Sequence, residues 1–454
     1  MRAIKRRGSS NPARIISESF AAVILIGALL LCLPVSSRSG TFTPFLDCLF
    51  TSASATCVTG LVLYDTYTYW SAFGQGVLIM LIQIGGLGLV TFTSFFNLVI
   101  GRKLGLRGMK LASESINSTS FGDVPNLLRM IITFTLTVEF IGAVLLSFHF
   151  VPRFGMMGVA ISVFLAISAF CNAGFDILGF LGEYTSLTTF NDSYLVLFTI
   201  MMLIIVGGLG FIVWNDLLAY RRTKTLLLHT KIVLMVTAFL ILLGTFCFLL
   251  FEWDNPKTLQ PLSLKEKIGA GFMQSVTMRT AGFNSIDLYS MRDATKVFSI
   301  VLMFLGAAPG STGGGIKVTT IAVIIMTAVS IIRGKEEPCM MGRRLSAGVI
   351  YRSITILFFG IMVVGTTSVV LMTTCPLEAN GLSGIDAVFE AVSAFATVGV
   401  SSGVTAVSSQ ISKVVLILTM FIGRVGPVSF GLSLAAQKSV SRKLIVPEGK
   451  IIVG

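Results

Sequence analysis

Apolar positions along this chain fall into runs of two lengths, and the alternation repeats four times. A long apolar run is followed by a short amphipathic stretch, a glycine-bearing loop and a second long run. The first set occupies residues 15–33, 43–55 and 70–100, and the second 128–150, 158–170 and 194–220. The third occupies 232–251, 265–277 and 297–332, and the fourth 349–372, 384–396 and 414–436. A helix needs about 20 apolar residues to cross a bilayer core, so the long runs predict spans and the short ones helices that enter without crossing. The opening run resembles a secretory signal in its charged-then-apolar order, but its length and the count of sets favour a retained span. The expected fold is an all-α polytopic membrane protein with eight transmembrane helices and four re-entrant pore helices. Each set reads as an outer span, a pore helix and an inner span (M1-P-M2), over residues 1–110, 111–225, 226–340 and 341–454. Repetition at one period means similar units closing around a central pore.

The loops carry glycine at one recurring place. They read Val58-Thr59-Gly60, Asn172-Ala173-Gly174, Thr280-Ala281-Gly282 and Thr397-Val398-Gly399, with the glycines 114, 108 and 117 residues apart. Any one of these triplets is a weak motif, and recurrence gives it weight. Irregular backbone at membrane depth is tolerated only where it lines a watery path. Four such loops can present carbonyl oxygens that replace a cation's hydration shell. Glycine reaches the positive φ that turns successive carbonyls toward one axis. The C-terminal ends of the short helices carry partial negative charge, which favours a cation there. Asp47, Glu266 and Asp386 lie in early turns of three of these helices, where a carboxylate complements the opposite end. Close helix packing is the other reading of the loop glycines, and it is the preferred one for the clusters at 85–88 and 207–210 inside the following spans.

Composition agrees with the pattern. The chain is 54% apolar and 12% charged with a mean hydropathy of +0.88, outside the range of soluble domains. A net charge of +13 raises the question of nucleic acid, but the basic residues lie in short segments between spans. The side holding the N-terminus, residues 100–130, 221–231 and 333–352 and the tail carries 23 Lys and Arg against 7 acids, and the opposite side 8 against 13. The positive-inside rule therefore predicts that both termini are cytoplasmic; the expected location is the plasma membrane, and no nucleic-acid partner is expected. Seven cysteines without paired spacing and two isolated histidines, His149 and His229, support neither a disulfide framework nor a metal site. No convergent nucleophile, base or ligand set points to an enzyme, and no covalent cofactor is expected.

The third inner run is interrupted by Gly306-Ala307-Ala308-Pro309-Gly310-Ser311-Thr312-Gly313-Gly314-Gly315. Proline removes a helix donor and the glycines disfavour continuation, so irregular backbone is predicted. A phosphate-binding loop fails because Gly315-Ile316-Lys317-Val318 lacks the Gly-Lys-Ser/Thr ending. The stretch reads instead as a flexible gate lying across the path beneath the glycine loops. Arg424, mid-span in the fourth inner run, is costly in lipid and is expected to face the cavity, bond loop carbonyls and oppose cations. Lys317 has two readings, the cavity or cytoplasmic water. Arg279 is expected either to brace the loops, through carbonyls or a pore-helix acid such as Glu390, or to face solvent. Glu139 is expected to bond a neighbouring helix.

The four sets, the interrupted third inner span and the arginine in the fourth resemble the superfamily of K⁺ transporters that includes the bacterial Trk and Ktr membrane subunits and the plant HKT proteins. The resemblance covers nearly the whole chain. With eight expected spans and a short tail at 446–454, the chain looks most like the KtrB subunits. The resemblance implies K⁺ as substrate, with Na⁺ an activator in some members. It also implies a homodimer with one pore per subunit, gated by a KtrA-like cytosolic ring of RCK subunits that bind ATP or ADP. None of the filter positions holds the serine of the Na⁺-preferring HKT branch, which favours K⁺. Each glycine is followed by Leu61, Phe175, Phe283 or Val400 rather than by a second Tyr-Gly pair, which implies fewer ion sites and looser discrimination against Na⁺. The alternative is an alternating-access cation symporter, which predicts inverted repeats. Here every inner run ends on the basic side.

Overall fold

The computed structural model describes residues 12–88, 124–334 and 337–427, together with Thr91, Ser94, Met109, Ser113, Phe430 and Gly431. The basic segment at 1–11, the expected stop at Arg102-Lys103 and the tail at 432–454 lie outside the described residues. In chain order the helices of more than four residues are α1 (Pro12–Leu31), α2 (Phe45–Thr56), α3 (Ala72–Leu87), α4 (Val124–Phe154), α5 (Met156–Cys171), α6 (Tyr194–Gly208) and α7 (Phe211–Thr223). They continue as α8 (Leu228–Glu252), α9 (Leu264–Thr277), α10 (Asp293–Phe304), α11 (Val318–Ile332), α12 (Ala347–Thr374), α13 (Gly384–Ala396) and α14 (Gln410–Val425). A two-residue hairpin pairs Cys339 with Arg344 and Met340 with Arg343.

Among the described helices, α1, α4, α8 and α12 are long and apolar enough to cross a membrane. Their outward faces are apolar yet uncovered, with Ile26, Phe140, Leu242 and Phe358 between 59% and 70% exposed, as expected where lipid is the solvent. Each packs along the short helix that follows it: α1 on α2, α4 on α5, α8 on α9, α12 on α13. At two of these contacts a glycine admits a serine. Ser52 Oγ donates to Ile24 O at 2.7 Å beside Gly27, and Ser275 Oγ to Ile241 O at 2.8 Å beside Gly244.

The next layer of contacts runs between sets. α3 lies against α5, α6 against α9, α10 against α13, and α14 back against α2, so the packing closes into a circle. Two ion pairs staple it. Lys296 Nζ on α10 meets Asp386 Oδ1 on α13 at 2.7 Å, and Lys413 Nζ on α14 meets Asp47 Oδ1 on α2 at 2.7 Å. Both carboxylates sit in first turns, where the N-terminal amides of a helix also favour negative charge.

The inner runs depart from the expectation of continuous spans in three sets as well as the third. α3 stops at Gly88, the run at 194–220 bends by 93° between α6 and α7, and α14 stops at Gly426. Gly88, Gly210 and Gly426 have φ of 79°, 90° and 92°, which a right-handed helix cannot contain. Sequence periodicity does not show this, because each glycine lies inside an apolar run that continues for several residues beyond it. The described helices that suffice to span number four, or five with α6 and α7 as one, against the eight expected. The glycine clusters ahead of the breaks are packing sites. A Cβ at Gly85, Gly207 or Gly423 would lie 1.9–2.0 Å from the carbonyl oxygen of Thr56, Phe170 or Phe395, each near the end of its own set's short helix.

Lys296→Met leaves the Asp386 carboxylate buried without its cation and is expected to cost about 3–5 kcal/mol, most of it recovered in the Lys296→Met/Asp386→Leu double variant. Thermal unfolding in detergent checks this. Identical melting of the single variant and the parent would show that the pair does not hold the circle closed.

Candidate functional site

The four short helices end facing one another. A Cβ at Gly60 would lie 2.5 Å from Ala173 O, at Gly174 2.8 Å from Ala281 O, at Gly282 2.7 Å from Val398 O, and at Gly399 2.0 Å from Thr59 O. Each glycine thus faces the carbonyl oxygen one residue before the next glycine, in cyclic order. The φ angles of the four glycines are 96°, 70°, 83° and 88°. Two residues earlier, Val58, Asn172, Thr280 and Thr397 also have positive φ, at 57°, 60°, 73° and 52°. The residue between is not in that region, so handedness alternates along each loop, which turns successive carbonyls the same way. Val58, Thr280 and Thr397 are β-branched, and a positive φ there is strained by about 1–3 kcal/mol each.

What holds the strain is local. Thr59 N, Ala173 N and Val398 N bond back to the carbonyls of Ser54, Ser168 and Ser393 at 2.8–2.9 Å. The Ser54 and Ser393 hydroxyls then accept from Gly60 N and Gly399 N, each at 3.1 Å. Ser168 Oγ has no such partner among the described residues, and the third set has Val276 six residues before its glycine. These serines escaped the sequence reading, although their recurrence six residues before three of the four glycines was there to be seen.

On the side where the loops leave, the four glycines floor a cavity of about 440 Å³ whose rim includes Asp65, Asp176, Glu183 and Asp287. Asp65 accepts from Tyr67 N and Thr68 N of its own loop and from Tyr184 N of the next set. Burial pushes the Asp176 carboxyl up to about 6, opposed by the Leu178 amide and reinforced by the charge of Asp65.

Beneath the glycines lies the loop at 305–317. A Cβ at Gly313 would fall 2.1 Å from Thr280 Oγ1, and one at Gly314 2.3 Å from Thr397 Oγ1, which accepts from Gly314 N at 3.0 Å. Thr312 Oγ1 donates to Phe170 O at 3.2 Å, Thr312 N to Gly207 O at 3.3 Å, and Ala308 N to Gly208 O at 3.1 Å. Phe211 N donates to Gly310 O at 2.9 Å, while Ser311 Oγ turns back to Ala308 O at 2.6 Å. Gly306 and Gly315 close the base of the loop, where Leu305 pairs with Ile316 and a Cβ at Gly306 would lie 2.7 Å from Gly314 O. Pro309 stacks its carbonyl against Gly210.

Two cations are used inside. Arg424 donates to Thr312 O of the loop and to Gly85 O and Gly86 O of α3, bridging three sets. Lys317 takes the cavity-side reading, with Nζ donating to Gly313 O at 2.6 Å and Gly314 O at 3.1 Å. The expected partner of Arg279 is corrected. Glu390 is occupied by Ser401 Oγ, Ser402 N, Thr405 N and Thr405 Oγ1, and so ties the loop after Gly399 to α13. Arg279 is buried and donates to Thr237 Oγ1 at 3.3 Å. Glu139 does bond a neighbouring helix, accepting from Gln83 Nε2 at 3.2 Å, with the Cys171 thiol at 3.8 Å.

Apolar outer faces, an internal circle of half-length helices and a floor of main-chain oxygen together mark a polytopic membrane protein. The chain belongs to the TrkH family, described as cation transport protein, which it matches over residues 3–443. It is 38% identical over 452 residues to Ktr system potassium uptake protein B of Bacillus subtilis (strain 168), across 98% of this chain and 97% of that protein. It is also 38% identical over 448 residues to the potassium/sodium uptake protein NtpJ of Enterococcus hirae, across 98% and 97%. The crystal structure of the potassium transporter TrkH from Vibrio parahaemolyticus has the same fold, with a TM-score of 0.72 at 17% identity over 96% of this chain and 87% of that one.

Ser54→Ala and Ser393→Ala each remove a buried hydrogen bond worth about 0.5–1.5 kcal/mol and are expected to loosen ion discrimination, whereas Ser168→Ala is expected to change neither stability nor discrimination. Relative K⁺ and Na⁺ flux in liposomes measures this. Equal effects at all three serines would count against the hydroxyl bracing.

Proposed function

We propose that this chain carries K⁺ into the cell across the plasma membrane, through a path lined by the carbonyls of the Val58–Gly60, Asn172–Gly174, Thr280–Gly282 and Thr397–Gly399 loops. The observation that carries the reading is the cyclic facing of each glycine on the next loop's carbonyl. The reading treats the four sets as M1-P-M2 repeats around one pore. A K⁺ ion gives up water only where oxygen ligands replace it, and main-chain oxygens held at positive φ need no reorganisation to do so. The acidic rim raises the local cation concentration. The half-helix C-termini lower the energy of a cation at the loops.

The loop at 306–315 is the gate in this reading, drawn in its closed position by Arg424, Thr397 and the ends of α5 and α6. The Arg424 and Lys317 charges beneath it oppose a cation leaving the loops. The names of the relatives support potassium as substrate, and that of NtpJ brings in sodium. Membership of a Ktr system in the Bacillus protein's name supports a regulatory partner here, for which a cytosolic nucleotide-binding RCK ring acting on a homodimer is the form proposed.

Gly399→Ala places a Cβ on Thr59 O and is expected to abolish K⁺-dependent growth of an uptake-deficient host, while deletion of 307–314 is expected to give a constitutive leak. Normal growth of the first, or an unchanged resting flux of the second, would remove the filter or the gate respectively. The Asp176 carboxyl carries its charge above about pH 6 and loses it below. Uptake at subsaturating K⁺ should therefore fall as external pH drops through that value, and Asp176→Asn should flatten the profile. A parent and variant with the same pH dependence would exclude this carboxyl.

A further inference from the structure

α7 joins the loop at 306–315 to the membrane surface. α6 runs 15 residues, about 22 Å at 1.5 Å per residue, before the chain turns by 93° at Gly210. At that turn Phe211 N is bonded to Gly310 O, and a Cβ at Gly210 would lie 2.6 Å from Pro309 O. Trp214 Nε1 donates to Val206 O at 2.8 Å and fixes the bend. At the other end Asp216 Oδ2 accepts from Leu227 N at 2.9 Å, so the turn into α8 is also fixed. Since α8 is a long apolar helix whose first residues follow this turn, the C-terminal end of α7 lies at the membrane–water boundary.

That end has a distinctive surface. Arg221, Arg222, Lys224 and Lys231 are all exposed, and the nearest acid in sequence, Asp216, is buried and already bonded. Among them Leu218, Leu227 and Tyr220 are 58%, 55% and 44% exposed. An acidic protein surface would complement the cations but leave the leucines without a partner. The lipid–water boundary meets both needs, with acyl chains for Leu218 and Leu227 and phosphate for the guanidinium groups.

We propose that the C-terminal end of α7 binds the phosphate headgroups of anionic phospholipids, and that this holds α7 where it bonds Gly310 and so stabilises the closed loop. The coupling half rests on the gate reading above, whereas the binding half does not. Loss of three cations should weaken binding of phosphatidylglycerol by about a hundred-fold, at roughly five-fold for each.

The test uses the full chain in vesicles of phosphatidylcholine, with or without an equal part of phosphatidylglycerol. Lipid binding is read by native mass spectrometry and K⁺ flux by a fluorescent indicator. The parent is expected to bind phosphatidylglycerol and to show several-fold lower resting flux in its presence. The Arg221→Gln/Arg222→Gln/Lys224→Gln variant should bind it weakly and show the same flux in both vesicles. Equal lipid binding by variant and parent, or a lipid response that survives neutralisation, would overturn the site. Inorganic phosphate added to phosphatidylcholine vesicles should do nothing, and if it reproduced the effect the lipid would be the wrong source. Phe211→Pro removes the amide donor at the first helical position, where proline is tolerated. It should bind phosphatidylglycerol like the parent and lose the flux response. A response retained there would overturn the route through Gly310. Absence of K⁺-selective flux in both vesicles, with binding intact, would instead sink the proposed function and leave the lipid site standing.

Discussion

The close approach of Gly60, Gly174, Gly282 and Gly399 is the constraint on which the other features depend. A side chain at any of the four would meet a neighbouring main chain within 2.0–2.7 Å, so the loops are held together by what is missing from them. Bringing four irregular segments to one axis inside a membrane exposes their backbone and forces positive φ on residues that resist it. Such strain persists only where the surroundings leave no alternative. That accounts for the density of support behind the loops. Serine hydroxyls brace the glycine amides from within, Glu390 and Asp65 fix the segments that leave, and the Lys296–Asp386 and Lys413–Asp47 pairs keep adjacent sets from separating.

The circle is not uniform, and its departures gather in one quarter. Six residues before the glycine stand Ser54, Ser168, Val276 and Ser393, and three before it Cys57, Cys171, Arg279 and Ala396. The third short helix also closes differently, with Ala281 N on Thr277 O in place of the longer closure of the other three. It is this quarter whose inner run is opened into the loop at 305–317, and whose Thr280 hydroxyl touches Gly313. A loop that occupies the space below four facing backbones must come from one of them. The set that supplies it has no serine at the position from which Ser54 and Ser393 brace the first and fourth sets, and in the second set Ser168 Oγ does not make that bond.

The apolar runs and recurring glycines made the long outer helices, the short helices that follow them and the interrupted third inner run legible in the sequence. The neighbour order was not, because it decides which lysine meets which acid, and Lys413 and Asp47 are separated by nearly the whole chain. The breaks at Gly88, Gly210 and Gly426 were hidden for a different reason: a glycine in an apolar run packs closely or bends the chain, and hydropathy is the same in both cases. Here the clusters do both. Arg279 shows the limit of assigning partners by charge. Glu390 is the acid a charge argument selects, yet four nearer donors already saturate it, and geometry rather than charge chose the serine and threonine groups of its own loop.

The two cations beneath the ring divide the work between them. Six hydrogen bonds tie the loop to other elements: it donates to Phe170 O, Gly207 O, Gly208 O and Thr397 Oγ1 and accepts from Phe211 N and Arg424. Lys317 belongs to the base of the loop, so its bonds to Gly313 O and Gly314 O can travel with any movement. Arg424 stands on α14 and reaches Thr312 O from a fixed helix while its other amino group stays with Gly85 and Gly86. Displacing the loop therefore must break the Arg424–Thr312 contact and need not break those of Lys317. In the proposed gate, lysine would keep the loop's own carbonyls satisfied as the loop moves, and the arginine would be the latch.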